Sequence, residues 1–547
     1  MLKTNVLSST PSDKDISAIL IASGDSRLSA NQDCWPAQAE MEMKLTAAFQ
    51  KEGVNIVRGH PYDPIEKHGF ISSQRMGMDV FKSINPYSRI IVAESVWQYS
   101  YHVLSGLLDH KGPILTVANW DGLWPGLVGL LNLNASLTKM NVPYSTIWSK
   151  DFTDPFCVKG IQQWIREGKI DHDLSHVREF NINFVQKEDY EAAENLNKDL
   201  KINKAILGIF DEGCMGMANA IIEDNLLNPL GIYKERLSQS ALVAEMRLVT
   251  DEESDAVKNW LDKRGMQFVL GKDEAKDLTI NQINEQLKMY IATARMAAKF
   301  GCDAIGIQYQ QGLKDMVAAS DLAEGLLNNV ERPPVYCDGQ ELFSGQAIPH
   351  FNEVDECAGV DALITNKVWK NLKLDPATTL HDIRWGEYYN IDDTDKFVWV
   401  FMISGAIPAS HIKGGYKGAI SLRQPPMFFP RGGGTLKGVS KPGEFVWSRI
   451  FIEDNRLHAD IGRGTAVDLP EEEIQRRLNA TNPQWPIMNA VLHGITRDQM
   501  MARHKANHIQ VVYAPTSEFA DRALAIKATM MSLMGIHVHL CGDVKVG

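Results

Sequence analysis

The stretch Ala18–Ser26 (AILIASGDS) and the segment Ala37–Lys51 (AQAEMEMKLTAAFQK) that follows it decide the fold. The first is a short apolar run closed by Gly24-Asp25-Ser26, which reads as a buried strand ending in a loop. The second has apolar residues at helical spacing and is rich in strong helix formers. The pattern repeats downstream. Short apolar runs at Val54–Arg58, Ile90–Glu94, Ile114–Ala118 and Ser145–Trp148 are separated by helical stretches such as Gly126–Met140. Strands alternating with helices predict a parallel sheet covered on both faces. Ligands of such sheets gather at the carboxyl ends of the strands. This makes Ala22–Arg27, Glu94–Gln98 and Asn119–Trp124 the candidate rim loops. Trp97, Trp120 and Trp124 fall in them. Packing is the ordinary fate of an indole; the functional alternative is an apolar wall for a sugar face.

Beyond residue 150 the chain turns polar and reads as a helical linker into a second α/β unit. Ala205–Phe210 is its first strand, entering the turn Asp211-Glu212-Gly213-Cys214-Met215-Gly216-Met217. The spacing is not G-x-G-x-x-G, and two acidic residues repel phosphate, so a dinucleotide site is excluded there. Asn281–Lys299 reads as a long amphipathic helix, Asp303–Gln308 as a strand, and a helix begins at Asp321. After residue 357 the texture changes. Thr378–Trp385, Lys396–Ile403, Glu444–Ile452 and Ile509–Tyr513 are β-branched and aromatic, hence extended. The glycine clusters Lys413–Gly418 and Arg431–Gly438 do not follow the P-loop pattern; they read as an active-site loop or a hairpin turn. The chain closes with a helix (Glu518–Met534) and a strand (Gly535–Leu540), whose His537 and His539 share one face. The fold expected is α/β: two doubly wound parallel-sheet domains (1–165 and 166–350) followed by a β-rich C-terminal domain (351–547).

Composition sets the outer bounds. The 547 residues carry a net charge of −12, with 44% hydrophobic and 23% charged residues, ordinary values for a soluble globular protein. The acidic balance and the lack of a Lys/Arg-rich run argue against nucleic acid as partner. No apolar run is long enough to span a membrane, and the N-terminus lacks the apolar core of a signal peptide. The seven cysteines form no C-x-x-C, so reduced thiols and a cytoplasmic location are expected.

The chemistry concentrates in Asp321–Asn329 (DLAEGLLNN) and Phe351–Val360 (FNEVDECAGV), which bring Glu324, Glu353, Asp355 and Glu356 into one window. Ala502–Tyr513 (ARHKANHIQVVY) adds His504 and His508. Two carboxylates and an imidazole suit a divalent metal such as Mn²⁺. The chain holds 68 acidic residues, and a cluster of four is equally the mark of a solvated face.

At these segments the sequence resembles the L-fucose isomerases, metal-dependent aldose–ketose isomerases. Gly306–Asn329 is similar to the family segment that holds a first carboxylate, at Glu324. Asn352-Glu353-Val354-Asp355 resembles the segment of the second, at Asp355. Lys505-Ala506-Asn507-His508 resembles the A-N-H segment, whose imidazole falls on His508. The resemblance thus implies Glu324, Asp355 and His508 as ligands of Mn²⁺ or another divalent cation, with Glu324 and Asp355 doubling as acid and base. It implies that Trp97, Ser404, Tyr416, Trp485 and Asn507 touch a small-molecule sugar, and that the protein is a homo-oligomer, a hexamer, in which a neighbour's first domain can cap the site. The sequence departs from the family around the substrate. About seven extra residues separate Glu324 from Asp355, Gln424–Glu444 is longer, and Ser23 stands near the place of an arginine expected after the first strand, with Arg27 the nearest substitute. These departures keep open a sugar-acid lyase or decarboxylase, or a non-catalytic sugar-binding protein, on the same scaffold.

Overall fold

The computed structural model describes residues 17–483 and 485–546. The first domain holds the strands β1 (Ser17–Ile21), β2 (Asn55–Arg58), β3 (Arg89–Glu94), β4 (Ile114–Asn119) and β5 (Ser145–Ser149). They form one parallel sheet in the order β2-β1-β3-β4-β5. The order reverses between β1 and β3, the place where open α/β sheets bind ligands. Arg27 and Trp97 lie just beyond those two strands. Helices cover both faces, and β4 is buried along its whole length, as expected for a central parallel strand.

The polar stretch after residue 150 does more than link. Its strand β6 (Val177–Glu179) pairs with the last strand of the chain. The helix Lys187–Asn203 packs on the C-terminal helix Ser517–Met534, where Arg522 donates to Asp189 at 2.8 Å. The linker is therefore a lateral extension of the third domain, bound by backbone pairing that periodicity does not reveal.

In the second domain β7 (Ala205–Phe210), β8 (Ile232–Leu237) and, past the two-residue β9 (Gln267–Phe268), β10 (Ala304–Ile307) form a parallel sheet in the order β10-β7-β8. The helix Ile280–Phe300 is started by a capping box of Thr279 and Gln282 and stopped by Gly301 in the left-handed conformation. A small hairpin, β11 (Val335–Cys337) and β12 (Gln340–Leu342), lies in the stretch between Glu324 and Asp355.

The third domain is the β-rich one. Its strands are β13 (Thr379–Ile391), β14 (Thr394–Met402), β15 (Ile420–Arg423), β16 (Gly434–Lys437), β17 (Gly443–Glu453), β18 (Arg456–Ala466), β19 (Ile487–Leu492), β20 (His508–Ala514) and β21 (His537–Cys541). Eight strands make the main sheet, in the order β17-β20-β13-β14-β19-β18-β21-β6, and β17 also pairs with β18. β15 and β16 form the hairpin of the Gln424–Glu444 region and join β9 of the second domain. The helices Glu356–Asn371 and Ser517–Met534 pack on the main sheet. Between them Lys527, Asp361 and Ser448 form a fully buried polar cluster, with Lys527 Nζ donating at 2.6 Å to both the Asp361 carboxylate and the Ser448 hydroxyl. His537 and His539 stand beside His458 of β18, with His458 Nδ1 and His539 Nε2 3.2 Å apart.

Candidate functional site

A cleft opens where the three domains meet. Its walls come from the first domain (Arg27, Trp97, Pro125), the second (Met215, Gln310) and the third (Ser404, Phe428, Trp485). The rim loops after β1 and β3 thus reach the site, in the same chain as the residues they cover. Arg27 is one of the residues that line the cleft. Its guanidinium is held by Asp25 at 2.5 Å and lies over the Phe428 ring at 4.7 Å. Trp120 is directed elsewhere: its indole donates to Gly386 O on the third-domain sheet. Trp124 packs with Phe70 and Val96 in the first domain.

Four of the five side chains implied as sugar contacts, Trp97, Ser404, Trp485 and Asn507, line this cleft. Tyr416 does not. It is buried against Trp260, and its hydroxyl donates to Glu331 O at 2.7 Å.

The polar floor is built on adjacent strands. His508 opens β20 and is the register partner of Asp382 on β13. The β13–β14 ladder slips between Ile383 and Trp385, a bulge at Arg384 of the kind that re-aims side chains near active sites. Asp382 and Arg384 both reach the cleft. Glu353 joins them from the loop before the helix Glu356–Asn371. Its backbone and that of Val354 are both left-handed, at φ 58° and 57°. That conformation is strained for a β-branched residue and costs of order 1–3 kcal/mol per residue. It turns Glu353 into the cleft and Asp355 away from it.

Asp355 caps the helix, accepting from Ala358 N at 3.0 Å. Its other oxygen takes the Arg449 guanidinium at 2.6 Å and His508 Nδ1 at 2.8 Å. Burial pushes its carboxyl up, but Arg449 and His508 outweigh that and hold it well below the usual range. His508 therefore carries its Nδ1 proton toward Asp355 and points Nε2 at Glu353 (3.8 Å) and Asp382 (3.6 Å). Burial lowers the imidazole, but Asp355, Asp382 and Glu353 together raise it above its ordinary value. Burial pushes Glu353 up to about 7 and raises Asp382 also.

Glu324 lies behind this floor in the helix Asp321–Leu327, with a carboxyl oxygen 3.6 Å from His350 Nδ1. Burial, then the nearby Asp321, raises it well above the carboxylate range. Glu356 is not solvated. It is fully buried, pairs with Lys234 at 2.7 Å and accepts from Ile222 N. His504 donates Nε2–H to His508 O at 2.8 Å and so fixes the backbone beneath the candidate imidazole.

Among the described residues, no group of three or more His, Cys, Asp or Glu side chains is arranged to hold a metal ion. The donor chemistry does suit one. Nε2 of His508 faces two carboxylates that make no salt bridge to a guanidinium or ammonium among the described residues, with Arg27 and Arg384 acting on them only from farther off, while Asp355 fixes the other ring nitrogen, as the outer partner of a metal-bound histidine commonly does. Sequence reasoning missed Asp382, Arg384 and Arg449. The signal available was polar residues interrupting apolar strands, as in His381-Asp382-Ile383-Arg384.

Residues 421–539 match the family model of the L-fucose isomerase C-terminal domain. The match lies in the β-rich third domain, which carries Gln424, Arg449, Trp485, Asn507 and His508. It covers about a fifth of the chain. No curated protein matches it. Among the described residues no helix is long and apolar enough to cross a membrane.

Proposed function

We propose that the chain is a metal-dependent aldose–ketose isomerase acting on a free, unphosphorylated sugar through a cis-enediol. The observation that carries this reading is the meeting of Glu353 and Asp382 with His508 Nε2 at the floor of a cleft walled by Trp97 and Trp485. Moving a carbonyl between C1 and C2 takes a proton from C2 and delivers one to C1. A carboxyl near pH 7 serves as base and acid in turn, and burial gives Glu353 that property. Two raised carboxyls side by side favour one ionised and one protonated group, the division of labour the reaction needs. The indole faces exclude water and hold the open-chain sugar flat.

His508, Glu353 and Asp382 do not stand at ligand spacing as a group and would have to draw together to hold a divalent cation, with Asp355 orienting the imidazole; Glu324 and Asp355, implied by the resemblance, are the competing ligands. When bound, a cation of this type chelates vicinal oxygens and stabilises charge developing on them. The decisive experiment measures bound metal and ketose formation from L-fucose, D-arabinose, L-rhamnose and D-altrose in Glu353→Gln, Asp382→Asn, Glu324→Gln and Asp355→Asn. Loss of metal and turnover in the first two supports this site. Wild-type turnover in both removes it.

One observation favours a second reading, a lyase or decarboxylase acting on a sugar acid. Arg384 is buried at the cleft and has no carboxylate within salt-bridge distance among the described residues. Its NH2 donates to the carbonyls of Gly122 and Asn482, and burial pushes it down to about 10. A substrate carboxylate would add to the partial counter-charge of Asp382 and Asp121. Bound metal with no ketose from any aldose, together with turnover of an aldonate, would establish that reading.

A further inference from the structure

The long Gln424–Glu444 segment enters the site through a side chain that never reaches the cleft. Gln424 is completely buried. Its amide nitrogen donates to Asp321 Oδ2 at 2.8 Å and to Ser404 O at 2.6 Å. Its amide oxygen accepts the Trp485 indole N–H at 2.7 Å. Asp321 in turn accepts the Ser404 hydroxyl at 2.7 Å. The loop that presents Gln424 is closed by its own backbone, with Gln424 N donating to Gly433 O at 2.9 Å. It is clamped from the helix Ile280–Phe300, where the side-chain oxygens of Gln282 and Gln286 accept from Gly433 N and Gly434 N. Gly432 and Gly433 sit at φ 71° and 98°, so the glycine run supplies a backbone that other residues would strain.

Each arm of this amide ends on a group that lines the cleft or on the carboxylate that holds one. Trp485 and Ser404 are cleft residues; Asp321 binds the Ser404 hydroxyl. A Trp with its N–H satisfied behind it can lie with its face to the cleft only in the orientation that keeps that bond, and a planar amide with both donors and its acceptor engaged has no freedom to turn. We propose that Gln424 is the positioning residue that fixes the Trp485 indole and the Ser404 turn as one wall of the cleft, so that the long loop sets the affinity and selectivity for substrate without touching it.

The kinetic arm rests on the isomerase reading; a second arm does not. Gln424→Met keeps length and volume but removes every hydrogen bond. Trp485→Phe keeps a ring and removes the N–H. In a double-mutant cycle, Gln424→Met should raise KM about tenfold and leave kcat within about twofold, and that effect should shrink to less than about threefold in the Trp485→Phe background. Additive effects, or a fall in kcat with KM unchanged, would overturn the proposal. In the second arm the protein is labelled with 5-fluorotryptophan, and the ¹⁹F resonance absent from Trp485→Phe is assigned to Trp485. Gln424→Met should shift or broaden that resonance while leaving the Trp148 and Trp369 signals in place. An unmoved Trp485 resonance overturns the proposal whatever the enzyme's substrate. A wild type that forms no ketose, with the Trp485 resonance still shifted in Gln424→Met, would instead remove the isomerase reading and leave Gln424 as the positioning residue of a differently used cleft.

Discussion

Replacing Lys527 with Met should cost the third domain about 3–5 kcal/mol, because it leaves the Asp361 carboxylate buried without a counter-ion. Lys527 Nζ lies 2.6 Å from Asp361 Oδ1, and both side chains are fully buried. At that separation the attraction is about 6 kcal/mol for an effective dielectric of ~20. Desolvating two ions costs several kcal/mol each, so the pair as a whole adds little net stability. Removing one half forfeits the attraction and keeps the other half's desolvation cost. Ser448 and Thr365 can each donate to Asp361, which keeps the loss to the lower part of the range. The double variant Lys527→Met/Asp361→Leu should recover at least half of it. Urea unfolding of the full chain, followed by the fluorescence of Trp369, Trp399 and Trp447 buried in this domain, reads the transition. A single variant within about 1 kcal/mol of wild type, or a double variant no more stable than the single, would refute the reasoning.

The buried imidazoles should each lose stability on acidification well above the carboxylate range. Burial lowers His60 and His411 to about 3 and His102 to about 4, so between their unfolded value near 6.5 and those values the unfolded chain binds more protons. Stability from each is complete above pH ~6.5 and falls by roughly 2 kcal/mol per imidazole from pH 7 to 5, while the raised carboxyls of Glu353 and Glu356 act in the opposite sense; the urea midpoint of wild type should therefore lose more between pH 7 and 5 than that of His411→Gln, and equal losses contradict it. Gly77→Ala should separate the helices Gln74–Lys82 and Tyr101–Asp109, since a Cβ there would meet His102 O at 1.7 Å; a loss of about 1–3 kcal/mol or more should appear in the first-domain unfolding transition. Glu353→Gln should abolish ketose formation yet leave the unfolding midpoint unchanged or raised, because it removes a buried ionisable group and a strained, functionally placed residue need not stabilise the fold.

The strand–helix alternation made the two parallel-sheet domains legible, and the strand-end rule pointed to Arg27 and Trp97 without knowledge of any fold. The β-rich texture after residue 357 was equally plain. Which carboxylate meets the cleft was not legible. Glu353 and Asp355 are two residues apart in one acidic run, and their opposite directions are set by two consecutive left-handed residues, one of them a valine that propensity would never place there. Arg449 is silent in sequence for a related reason. It lies in a long apolar strand, and its partner Asp355 is brought to it by tertiary packing alone. Tyr416 shows the converse, an aromatic in a glycine-rich segment whose neighbourhood is decided by the helices of the second domain.

The pairing of β6 with β21 has a consequence for how the chain is made. Residues 177–179 wait for a partner synthesised about 360 residues later. At typical translation rates of roughly 5–20 residues per second, the wait is on the order of 20–70 s. During it, one edge of the third sheet's eventual border, together with the apolar side of the helix Lys187–Asn203, stays uncovered on the ribosome. The first domain can close early. The second domain, threaded between β6 and its partner, is completed in a chain whose outer frame is still missing, so the last strand to emerge ties the earliest loose end and seals the molecule.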